Sequence, residues 1–140
     1  MSDGVGSWTP AGAPPVPTAA ELAAAAEAFR RQHEDDPAAL PEPVAAPLRS
    51  ALRLPAGSLD AVLEELPDAD LATLARLYTI AEARDPAWEA GARSPVIPLF
   101  ATLKARGGET AELAAWIRAR TENRFLPHGS LQDRLRTRAP

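Results

Sequence analysis

Leucines recur through the middle of the chain at spacings of three, four and seven, with polar residues between them. Leu59, Val62, Leu63 and Leu66 share one helical face in this register, and Leu71, Leu74, Leu77, Tyr78 and Ala81 share another. Ser58 stands where it would cap the first segment, Pro67 stops it, and Asp68 or Asp70 restarts the chain. The pattern predicts an αα-hairpin from Ser58 to about Arg84.

The same reading extends in both directions. Upstream, Thr18 with Glu21 three residues later is a capping box, and Leu22, Ala26 and Phe29 mark the buried face of a helix ending near His33. Asp36-Pro37 is an N-cap followed by a first-turn proline, and Val44, Leu48 and Leu52 predict a short helix from about Pro43 to Leu54. Downstream, Asp85-Pro86 and Ser94-Pro95 repeat that signature. The first starts a short turn carrying Trp88, and the second starts a helix to about Arg106 with Val96, Phe100 and Leu103 inward. Gly107-Gly108 ends that helix, because glycine adopts the left-handed conformation of a C-terminal cap. A helix over about residues 109–121 follows, with Leu113, Trp116 and Ile117 on one side. Then come a loop to Gly129 and a last short helix from Ser130 to about Arg136.

Residues 1–17 hold three Gly, four Pro and two Ser without periodicity, which predicts a flexible tail. Trp8 is its one residue suited to docking. Residues 18–140 are then a single domain. The expected fold is all-α, a small irregular bundle of five or six short helices behind a disordered N-terminal tail.

Composition agrees with helices and limits the core. There are 31 Ala and 17 Leu against only eight Val and Ile together, a balance that favours helix over strand. The absence of cysteine excludes disulfides, Cys-type zinc sites, iron–sulfur clusters and a thiol nucleophile. No basic start followed by an apolar run opens the chain, and no stretch nears the roughly 20 apolar residues of a membrane helix. The expectation is a cytoplasmic protein without a membrane role.

Charge changes the picture further. Residues 1–90 carry six basic and fifteen acidic side chains, net −9, and residues 91–140 carry nine basic and four acidic, net +5. Fourteen Arg against one Lys reflects coding bias, so arginine abundance by itself is no sign of nucleic-acid binding. The two halves can attract each other within one domain, or the basic half can meet an acidic partner.

No residues gather in a catalytic pattern. His128, Ser130 and Asp133 copy a hydrolase triad in composition, but they are near neighbours in sequence, whereas a triad converges from separate elements. Capping by Ser130 accounts for them. His33 with Glu34, Asp35 and Asp36 lacks the histidine spacing of a metal helix, and Gly107-Gly108 lacks the lysine of a phosphate loop. Trp88 and Trp116 read as packing anchors, with Trp88 and Tyr78 as the sides of a groove the other reading. The expectation is no enzyme, no cofactor and no metal.

The segment from Asn123 to Ser130 combines a cation, an aromatic ring, a histidine and turn formers on one loop. It can close over Trp116 as a lid on the core, or it can meet a partner. The candidate partner-binding residues are Arg118, Arg120, Arg124, Phe125, His128 and Arg134. The function they suggest is that of an adaptor or regulator binding another protein with an acidic surface. Nucleic acid on the same arginines is the alternative.

Overall fold

The computed structural model describes residues 15–108 and 110–129. Among them are six α-helices, three 3-10 turns and no β-strand, as the all-α expectation requires. The helices are α1 (Ala19–Arg30), α2 (Glu42–Ala51), α3 (Asp60–Leu63), α4 (Asp68–Arg84), α5 (Val96–Ala105) and α6 (Ala111–Arg120).

The axis of the fold is α4. From Asp70 to Glu82 every residue except Ala72 and Arg76 is buried. A helix buried on nearly all sides needs neighbours all round, and α1, α5 and α6 supply them, with α2 packed on α1. Leu71, Leu74 and Leu77 have no exposed surface. Each contributes about 1.5–3 kcal/mol relative to an exposed position.

Several local signals fold as the sequence implies. Thr18 Oγ1 accepts from the Glu21 N–H at 3.1 Å and the Glu21 carboxylate accepts from the Thr18 N–H at 2.9 Å, which completes the capping box. The carboxylates of Asp36 and Asp85 each accept from the N–H two residues on, at 3.0 Å. Past α5, the Gly107 N–H donates to Lys104 and the Gly108 N–H to Leu103, with Gly107 at φ +79°. That is the paired closure of a glycine-capped helix end.

The hairpin expected from Ser58 to Arg84 does not form. α3 is a single turn whose N-cap is Leu59, and Ser58 instead donates its N–H to the Pro55 carbonyl at 3.2 Å. Gly57 at φ +86° turns the chain just before it, and Glu65 and Leu66 close tighter i→i+3 bonds just after it. Leu59, Leu63 and Leu66 are buried all the same. Their spacing set which side chains go inside, but not how long the helix runs. A single turn offers α4 no face to pair along, and α3 packs on α5 instead. α1 and α2 each end three residues earlier than the pattern suggests, at Arg30 and Ala51. Trp8, the first fourteen residues of the expected tail and the helix expected from Ser130 lie outside the described residues. Of the rest of that tail, Pro17 is buried.

Candidate functional site

A cleft of about 960 Å³ opens between the 54–60 turn, α5 and the loop after α6. Its floor is apolar because α5 turns Ile97, Phe100 and Ala101 towards it, at the three- and four-residue spacing that keeps side chains on one face. Leu54 and Leu59 complete the floor from the other side. Arg93, Lys104 and Arg118 stand exposed along the rim, opposed by one acid, Asp60. None of these three cations forms an ion pair with a carboxylate of the described residues. His128 closes one end, half-buried, with its ring set edge-on to Phe100 at 5.2 Å between centroids.

The loop that delivers His128 is organised by Asn123. The Asn123 Oδ1 accepts from the Phe125 N–H at 3.0 Å, and its Nδ2 donates to the Gly91 carbonyl at 3.0 Å. Leu126 is buried and Phe125 packs partly buried against the core, so this part of the loop does act as a lid. The Leu126–Pro127 peptide is cis.

The expected site residues divide between places. Arg118 and His128 meet on the cleft. Arg120, two residues on and therefore about 200° around α6, stacks on Trp116 with its guanidinium carbon 4.2 Å from the ring centroid. It borders a second crevice with Glu34, Asp35, Asp36 and Arg84. Arg124 is exposed above the Phe125 ring at 5.8 Å. Arg134 lies outside the described residues. Trp88 is buried 5.9 Å from the ring of the buried Tyr78, as a packing anchor is, whereas Trp116 is only partly buried against the core, with Arg76 and Arg120 over its ring.

Sequence reasoning missed Arg93, Lys104 and the floor of the cleft, which come from segments far apart in the chain. It also missed Glu82. This acid on α4 is only 4% exposed. Its Oε2 accepts from the Ser94 hydroxyl, and its Oε1 lies 3.4 Å from the Asn123 Nδ2. Burial pushes its carboxyl up to about 7; Glu89 adds to that rise, and the bonds from Ser94 and Asn123 hold it back. Burial likewise pushes the Tyr78 phenol up, which keeps it a neutral donor. A signal was available, since Glu82 falls four residues after Tyr78 and eight after Leu74, in the core register of α4.

Among the described residues no group of three or more His, Asp or Glu gathers as a metal site, and no helix is long and apolar enough to cross a membrane. Compared with protein-family models, with curated proteins and with solved structures, the chain matches none.

Proposed function

We propose that this protein is a small cytoplasmic interaction domain, an adaptor or regulator, that binds an acidic amphipathic segment of another protein in the cleft between α5 and His128. The observation that carries this reading is the pairing of an apolar floor with a rim of three cations against one acid. Apolar side chains of a partner would cover the exposed Pro55, Ala56 and Ala105 and the half-buried Pro98 and Ala101 above the buried floor, and its carboxylates would meet Arg93, Lys104 and Arg118. A phosphate backbone suits the cleft less well, because it would leave the open Pro and Ala surface uncovered and would meet Asp60.

Fluorescence polarisation of a labelled peptide with Leu and Glu in helical register tests the proposal. Binding at physiological ionic strength is expected, with a loss of about tenfold in Lys104→Glu/Arg118→Glu, since two rim charges together are worth about 1.4 kcal/mol. Equal binding by the double variant would overturn the assignment. Retention of labelled single-stranded or duplex DNA at low salt, competing with the peptide, would favour nucleic acid instead.

A further inference from the structure

Behind the cleft, one buried carboxylate joins two of its walls. Ser94 leads into α5 and lines the cleft, and its Oγ accepts from the Val96 N–H at 3.2 Å while its hydroxyl donates to Glu82. Asn123 reaches Glu82 from the other side and seats the loop whose Pro127 and His128 form the opposite wall. It does so through its bonds to Gly91 and Phe125, an N–H donated to Thr121 Oγ1 at 3.0 Å, and a carbonyl that accepts from the Leu126 N–H at 3.1 Å.

We propose that Glu82 is a proton-operated latch on the cleft: as a carboxylate it holds Ser94 and Asn123 and keeps the 121–129 loop seated, and on protonation it lets that loop loosen. The proposal goes beyond the interaction reading and concerns the protein without its partner.

Hydrogen-bond chemistry gives the direction. A carboxylate accepts from both neighbours through charge-assisted bonds. With a proton on Oε2, that oxygen becomes a donor. Ser94 Oγ must then accept from Glu82 as well as from Val96 and send its own proton elsewhere. Oε1 becomes a neutral carbonyl oxygen, a weaker acceptor for an Asn123 amide already 3.4 Å away. The charged surroundings allow the change near neutrality. Tyr78 faces Glu82 from the same helix as a neutral phenol, Glu89 contributes negative charge from the segment before α5, and Ser94 and Asn123 are uncharged. No cation of the described residues forms an ion pair with Glu82. Its burial places protonation at about pH 7.

Amide NMR and hydrogen exchange on the full chain, from mildly acidic to mildly alkaline pH, test the latch. In the wild type, the Ser94, Val96, Asn123 and Phe125 amides are expected to titrate with one shared midpoint, and protection of the Phe125 and Leu126 N–H groups should fall about fivefold or more on the acid side. Glu82→Gln should abolish the shared titration and should hold loop protection at its low value throughout. Asn123→Ala should lose loop protection at every pH, with Ser94 still titrating. Amides that titrate independently, or a Glu82→Gln protein that titrates like the wild type, would overturn the latch. No peptide enters this measurement, so its failure and a failure of peptide binding are separate results.

Discussion

The Tyr78 hydroxyl donates a 2.6 Å hydrogen bond to the carbonyl of Leu48, thirty residues earlier in the chain, and both residues are buried. Leu48 belongs to the last turn of α2, where carbonyls run out of helical donors. One phenol therefore ties the end of an outer helix to the central one.

Tyr78→Phe keeps the ring packed against Trp88 and strands that carbonyl. The expected cost is about 1–3 kcal/mol, the usual penalty for an unpaired buried acceptor. It should appear as a lower urea midpoint with an unchanged slope and an unchanged helical signal. A neutral result would mean that α2 is held by its apolar contacts alone.

Arg106 is expected to matter more than its place at the end of α5 suggests. Its guanidinium donates to the carbonyls of Leu66, Glu64 and Leu63 at 2.6, 3.0 and 3.2 Å, and meets Asp68 at 2.9 Å. It thereby closes the end of α3 and fixes the turn into α4. Arg106→Ala should destabilise by about 2–3 kcal/mol, since hydrogen bonds to a charged group exceed neutral ones. Arg106→Lys should recover little, because an ammonium cannot fork across four acceptors. Chemical denaturation of the two variants would check both values.

These two contacts show what the sequence could and could not tell. The caps at Thr18, Asp36 and Asp85 and the stop at Gly107-Gly108 were legible because their chemistry is complete within two to five residues. The Leu59, Leu63 and Leu66 stripe was legible as buried surface. Its length was not, because the carbonyls at its end are taken by Arg106, about forty residues downstream. The candidate site was legible only in Arg118 and His128. Arg120, though next but one to Arg118, points elsewhere on α6, and Arg93 and Lys104 join the cleft only once α5 lies beside the 54–60 turn. Charge counting by halves of the chain cannot see a cleft built from both.

Stability should fall as pH rises towards neutrality, to the extent that Glu82 controls it. The folded protein holds this proton up to about 7, whereas an unfolded chain releases it near 4.5. Between those values the native state binds the extra proton, so its advantage shrinks as pH increases. The full loss is about 3 kcal/mol at 1.36 kcal/mol per unit. Glu82→Gln should remove this component and gain on the wild type above neutrality. The difference between their denaturation curves at several pH values isolates it from the other carboxylates. A constant difference across the window would show that Glu82 titrates as an ordinary exposed acid.

Leu74→Ala probes the axis of the fold. Leu74 is completely buried in α4, and truncation there should cost about 2–5 kcal/mol through lost burial and the cavity left behind. Thermal unfolding by circular dichroism would register it, and a loss under 1 kcal/mol would mean that α4 is less enclosed than described.

An acidic partner segment seated in the cleft beside α5, as proposed, would leave its footprint in the amide NMR spectrum. On adding the Leu/Glu helical peptide to the whole 140-residue chain, the largest shifts should fall on Arg93, Ala101, Lys104, Arg118 and His128, residues distant in sequence that share the cleft. Shifts centred on Trp116 and Arg120, or none at saturating peptide, would contradict it.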